Sequence, residues 1–216
     1  MLSPISRPYV AARQAELFNS PSPIAARDMI GWTLIYNGVG GRIVETEAYL
    51  GYDDPASHGY RHRRNARNQA LFGPPGLWYV YLSYGMHWCA NLVCQRRGLA
   101  SAVLLRALEP VDGLEVMRRR RRGVETRDLC SGPGKLCQAL GIDRSLDGSR
   151  MARSSVIVRP PTEWEKLQVA VTPRIGITKA ADWPLRFYVA GSPWISRKEK
   201  GGGSLDPPPR ERGKKT

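Results

Sequence analysis

Apolar and polar positions alternate most regularly from Leu77 to Leu92, LWYVYLSYGMHWCANL, on both sides of Ser83-Tyr84-Gly85. Two period-two runs around a short break predict a β-hairpin, with Gly85 at a turn position that tolerates positive φ. Tyr84 then stands at the tip, either as a wedge that enters stacked nucleic-acid bases or as a ring lying back over its own hairpin. A second alternating stretch, RIVETEAYL at 42–50, puts Ile43, Glu45, Glu47 and Tyr49 on one face of an extended strand and Val44, Thr46 and Ala48 on the other. Two carboxylates interrupt a face that alternation would fill with apolar groups. Glutamates on an exposed strand face are the plain reading, but small residues opposite and Tyr49 alongside favour a lined pocket. Residues 100–108, ASAVLLRAL, are almost continuously apolar and predict a buried strand with Arg106 inside it. An unpaired buried guanidinium is very costly, so a carboxylate should face Arg106.

Around these stretches the pattern is shorter. Ser22 as N-cap and Pro23 at the first helical position start a helix over IAARDMI that Gly31 closes. WTLIY predicts a strand and Asn37-Gly38 a tight turn. Pro110 opens a helix through Met117, and the five arginines 118–122 after it read as a solvated loop. In LCSGPGKLCQALGI a glycine-proline turn feeds a helix closed by Gly141, and VIVR, PRIGIT and LRFYV predict further strands. Residues 51–76 are dense in glycine, proline and arginine with little periodicity, a long loop of the kind that usually carries function. His58 and His62 are four apart within it, but Gly59 and the missing helical pattern argue against a metal. Arg61, Arg63, Arg64 and Arg67 read as phosphate contacts. A single domain over residues 1–196 is expected, followed by a disordered basic tail, 197–216, with almost nothing to bury.

Charge changes the picture. Net charge is +14 over 216 residues, and a pI of about 10.1 points to a partner carrying phosphate, with a generic RNA-binding protein as the plainest version. The first lysine is Lys135, so the basic side chains that could reach a site before it are arginines, which fork onto phosphate and are poor amine nucleophiles. Mean hydropathy is −0.39; no run nears the ~18 apolar residues of a membrane span, and the N-terminus has no apolar signal core. Location inside the cell is expected, cytoplasmic or at the nucleoid if bacterial and nuclear if eukaryotic. Cys89, Cys94, Cys130 and Cys137 have no CxxC spacing and read as reduced, mostly buried thiols.

RIVETEAYLG, YVYLSYGM, VLLRALEP, LCSGPGKLCQALGI and LRFYVAGSPW, in this order from about Gly41 to Trp194, resemble the alkyladenine (3-methyladenine) DNA glycosylase family. The resemblance implies one mixed α/β (α+β) domain, with a curved, mainly antiparallel sheet flanked by helices and a protruding β-hairpin. It implies excision of damaged purines, alkylated or deaminated, from double-stranded DNA by a monomer that needs no cofactor or metal. Carried over by motif, Glu47 activates water, Arg106 and the main-chain carbonyl of Ile175 help hold it, and Tyr49, His58 and Tyr81 enclose the flipped base. Asn91 shapes the pocket floor, Tyr84 with Met86 fills the gap left in the duplex, and Lys135 can serve a phosphate beside the contacts read above for Arg61, Arg64 and Arg67. Many relatives carry SGPSKL where this chain has Gly134 before Lys135.

The chemistry agrees with the resemblance. A purine inside a duplex must be rotated out to be reached, and cleavage at C1′ passes through a sugar cation that a carboxylate can stabilise while it deprotonates water. Without a lysine before residue 135 a Schiff base is not expected, so a monofunctional enzyme leaving an abasic site is implied. The alternative, a non-catalytic RNA- or DNA-binding protein, accounts for the charge and Tyr84 but not for Glu45, Glu47 and Arg106 in apolar strands.

Overall fold

The computed structural model describes residues 7–151, 155–161 and 167–196; the 197–216 tail lies outside them. Eight strands form one curled antiparallel sheet: β1 (Thr33–Tyr36), β2 (Val39–Tyr49), β3 (Trp78–Ser83), β4 (His87–Cys94), β5 (Ser101–Asp112), β6 (Val156–Arg159), β7 (Val169–Thr172) and β8 (Arg186–Val189). They run in the order β3-β4-β5-β2-β1-β6, and β8 joins the second half of β2 with β7 outside it. β2 is the spine: β5 pairs along one edge, while β1 and then β8 share the other. Among the described residues four α-helices, α1 (Arg7–Asn19), α2 (Ser22–Asp28), α3 (Leu114–Arg120) and α4 (Pro133–Leu140), complete an α+β domain. Among the described residues no helix is long and apolar enough to cross a membrane.

The main core joins α2 and α4 to the sheet through Met29, Trp32, Trp78, Leu105, Leu136 and Phe187, all fully buried; burying each such side chain contributes about 1.5–3 kcal/mol. A smaller cluster, Leu71, Phe72, Leu77, Tyr79, Val93, Ala100 and Ala102, packs beneath the 51–76 segment. Side chains stand in for missing backbone ladders in that segment. Asp54 accepts from the amides of Leu50 and Ala56, and Asn68 donates to the carbonyls of His58 and Arg63.

Several local expectations give way to neighbours. Pro110 belongs to β5, because β4 stops pairing at Leu104 and the missing N–H there breaks no bond to β4. The helix starts four residues later, at Leu114, behind left-handed Gly113. Pro21, not Ser22, is the N-cap of α2; Ser22 is buried and donates to the Tyr49 carbonyl. PRIGIT is irregular, and β7 precedes it. The alternating pattern did not reveal α1, whose apolar positions are sparse. The five arginines are not simply solvated: Arg118–Arg120 close α3, Arg120 donates to the Ala139 carbonyl at the end of α4, and Arg121 donates to the carbonyls of Asp128 and Leu129.

The most consequential difference lies between β2 and β5. Ile43 pairs with Leu108 and Glu45 with Ala107, leaving Val44 over; Thr46 pairs with Leu105, leaving Arg106 over. Two compensating bulges therefore face each other. A bulge reverses the in-out alternation of its strand, so Ile43 packs in the main core with Ala48, while Glu45 and Glu47 share the opposite face with Arg106.

Candidate active site

A cavity of about 760 Å³ opens between the 51–76 segment, the hairpin, β5 and the loop after β7. Tyr49, His58, Tyr81, Asn91, Arg106 and Ile175 all line it, and Tyr84 stands at its rim. Tyr79 and Tyr81 stack at 5.3 Å between centroids, and His58 meets the Tyr81 ring edge-on at 4.6 Å. The His58 Nδ1 lies 2.7 Å from the Tyr79 hydroxyl. Burial, with Arg67 adding to it, holds the imidazole below its ordinary value, and burial raises the Tyr79 phenol. A neutral imidazole offers one N–H and one acceptor nitrogen, so Nδ1 shares a single hydrogen bond with the Tyr79 hydroxyl and the tautomer sets its direction. Asn91 is buried, its amide spent on the Tyr79 carbonyl at 3.0 Å.

Glu47 is fully buried behind this wall. Its Oε1 accepts the Ile175 amide at 2.7 Å and lies 3.1 Å from Arg106 Nη1; its Oε2 accepts the Tyr49 hydroxyl at 3.0 Å. Ile175 therefore addresses the carboxylate itself through its N–H, a contact beyond the water-holding role expected of its carbonyl. Three of about four lone-pair sites are occupied, and the one left, on Oε2, suits a water. Burial raises the Glu47 carboxyl above its ordinary value; Arg106, the Ile175 amide and the Tyr49 hydroxyl oppose that rise.

Four residues that sequence reasoning did not single out complete the arrangement. Arg186 Nε meets Glu45 at 2.6 Å, and Ser196 donates to Glu45 from its amide at 2.6 Å and its hydroxyl at 2.8 Å. Arg174, fully buried in its side chain, makes a two-pronged contact with Asp54 at 2.5 and 2.9 Å and covers the Tyr49 ring at 4.6 Å. The signal was present for the arginines: each is a charge inside an apolar stretch, the same feature that exposed Arg106.

At the hairpin, β3 and β4 close at Ser83–His87 around Tyr84, Gly85 and Met86. Tyr84 is 84% and Met86 71% exposed, so the ring projects and does not lie back on its strands. Tyr84 holds φ of 50°, a left-handed conformation unusual for a bulky residue. Just below the hairpin tip His87 packs where a side chain on Gly134 would stand, its Cβ 2.9 Å from that position. The basic residues differ in availability. Arg67 donates to the Leu82 carbonyl, Arg64 lies over the Phe72 ring, Arg61 over Tyr60, and Lys135 pairs with exposed Asp128 at 3.2 Å. His58 and His62 part company, His62 resting against Tyr52 at 4.8 Å.

A dry carboxylate with one site for water, walled by rings that can clasp a planar heterocycle, under an exposed apolar wedge, is equipment for hydrolysis at a nucleobase. The comparisons agree in kind. Residues 16–193 match the methylpurine-DNA glycosylase family, and the chain belongs to it. It is 51% identical over 180 residues, covering 83% of this chain and 91% of the relative, to a Nitrosospira multiformis protein provisionally named a 3-methyladenine DNA glycosylase. A Rhodopseudomonas palustris protein with the same provisional name is 53% identical over 172 residues, 79% of this chain and 83% of the relative. Mus musculus DNA-3-methyladenine glycosylase is 44% identical over 213 residues, 89% of this chain and 63% of the mouse protein.

Proposed function

We propose that this chain is a monofunctional DNA-3-methyladenine glycosylase, which flips alkylated or deaminated purines out of duplex DNA and hydrolyses the bond to the sugar. Tyr84 and Met86 fill the vacated step of the duplex while the base enters between Tyr49, His58 and Tyr81, with Asn91 limiting the floor. An electron-poor alkylated purine stacks more strongly on these rings than a normal one. A water on Glu47 Oε2 loses its proton to the carboxylate as its oxygen attacks C1′, and the electron pair of the C1′–N bond leaves with the base. Arg106 and the Ile175 amide hold the carboxylate in place, and its charge stabilises the sugar cation. Arg61, Arg64, Arg67 and Lys135 are read as backbone contacts; Lys135 would have to exchange Asp128 for a phosphate. One chain supplies the whole cavity, which supports action as a monomer, in the compartment that holds the genome.

The observation that carries the reading is Glu47: a fully buried carboxylate whose three donors, Tyr49, Arg106 and Ile175, all line the aromatic cavity. A protein that merely binds nucleic acid gains nothing from carboxylates buried behind its binding face. The deciding experiment is release of free base from alkylated duplex DNA; the reading predicts an abasic product without strand cleavage, and binding without release would overturn it.

A further inference from the structure

Glu45 does not line the cavity, yet four donors converge on its carboxylate. Its Oε1 meets Arg106 Nε at 3.2 Å, Arg186 Nε at 2.6 Å and the Ser196 hydroxyl at 2.8 Å, and its Oε2 accepts the Ser196 amide at 2.6 Å. Arg106 is thereby gripped on three sides: Nε by Glu45, Nη2 by the Ser196 hydroxyl at 3.1 Å, and Nη1 by Glu47 at 3.1 Å. Glu45 and Glu47 are both fully buried, as is Arg186 but for 1%, and Arg106 retains 6% exposure. Glu47→Gln and Arg106 variants would probe the reacting groups themselves; Glu45 is one bond further back.

We propose that Glu45 is a positioning residue for hydrolysis: it holds Arg106 by its Nε edge and divides that guanidinium's charge between two carboxylates, so that Glu47 stays basic enough to take a proton from water. The proposal rests on the glycosylase reading of this site. Without Glu45, Arg106 would be free to turn a second N–H toward Glu47 and pair with it fully, as arginine does with an isolated carboxylate. A carboxylate so neutralised is a weaker base and a weaker partner for a sugar cation. The groups that face Glu47 are Glu45 and Tyr49 on β2, Arg106 on β5, Cys89 on β4, and the Ile175 amide with Arg174 on the loop after β7. Arg174 is neutralised by Asp54, and Arg186 on β8 reaches the pair through Glu45. Glu45 is the like charge in this set, and its presence raises the Glu47 carboxyl while Arg106 lowers it.

The test compares wild type, Glu45→Gln, and the double variant Glu45→Gln/Arg186→Gln. Glu45→Gln leaves a net positive charge in the buried network; the double variant keeps that network neutral and protects the fold. Single-turnover release of hypoxanthine from a duplex is followed across pH, together with duplex binding. The acid limb of the rate should move down by about one pH unit or more in both variants, and the plateau should fall on the order of tenfold as Arg106 loses its fixed stance. Binding should hold, since Glu45 does not touch the cavity. An acid limb that stays at the wild-type pH in both variants, or moves up, overturns the proposal, because a purely structural role would lower thermal stability alone. A second readout needs no turnover: the infrared carboxyl band of Glu47, assigned by its loss in Glu47→Gln, should titrate at lower pH in the double variant. If wild type released no base while that midpoint moved, the glycosylase reading would fall and Glu45's control of Glu47 would stand; an unmoved midpoint would refute the control itself.

Discussion

The interior behind the cavity and the tip of the hairpin are two opposite ways of building function. Behind the cavity, two carboxyl and two guanidinium side chains, Glu45, Glu47, Arg106 and Arg186, are almost wholly removed from water, and each is held by neighbours on other strands or loops. At the tip, Tyr84 and Met86 are two large apolar groups given almost wholly to water, in a left-handed turn that bulky residues avoid. Both are costly arrangements, and the cost has different origins: desolvation in the first, apolar exposure and backbone strain in the second. Substitutions in the interior should therefore damage fold and rate together unless they conserve shape, whereas substitutions at the tip should separate the two.

The largest effect should come from Asp54→Ala, which leaves Arg174 buried without its carboxylate. A loss of about 3–5 kcal/mol in denaturant or thermal unfolding is expected, with excision falling alongside because Arg174 covers Tyr49 and leads into Ile175. Glu47→Gln keeps the shape and loses the base. Single-turnover excision should drop by a factor on the order of 10² or more with duplex binding retained, and normal cleavage would remove Glu47 from its role. In wild type, burial raises Glu47, so the rate should climb with pH through a midpoint above the ordinary carboxylate range, the carboxylate being the active form. Tyr84→Gly gives the sharpest contrast. Stability should stay level or rise by about 1 kcal/mol as the left-handed strain is relieved, while excision from well-paired sites falls and excision from mispaired sites falls less. Smallest should be Gly134→Ser, whose new Cβ would stand 2.9 Å from the His87 Cβ, an atom no rotamer change moves; the exposed start of β4 must shift instead, and a loss of about 1 kcal/mol in melting free energy is expected.

What was legible in the sequence follows from how locally each feature is determined. The hairpin, β2, β5 and α4 with its Gly141 cap depend on alternation and turn chemistry within a few residues, and the pattern exposes them. Pro110 misled because a proline's tolerance in β5 depends on where β4 ends, a matter of tertiary pairing. Ser22 looked like a cap because its type suits one, but the Tyr49 carbonyl, distant in sequence, claims its hydroxyl. At the site, Glu47 and Arg106 were conspicuous as charges in apolar strands. Arg174 and Arg186 carried the same mark in PRIGIT and LRFYV, yet nothing local says that one reaches Asp54 and the other Glu45. That the Ile175 amide faces Glu47 is decided by the irregular path of that loop, and no residue type specifies it.

The paired bulges at Val44 and Arg106 bear on how this site can evolve. Each adds one residue to its strand, and because the additions oppose one another, the ladder on either side stays in step. Deleting Val44 alone would rotate Glu45 and Glu47 toward the packed helices or slide the whole strand against β5; deleting Arg106 alone would do the converse. Neither lineage step is neutral by itself, and no point substitution substitutes for a missing residue. The pair therefore acts as a ratchet, and a descendant that loses the chemistry through side-chain changes would still carry the two extra residues as a mark of its ancestry.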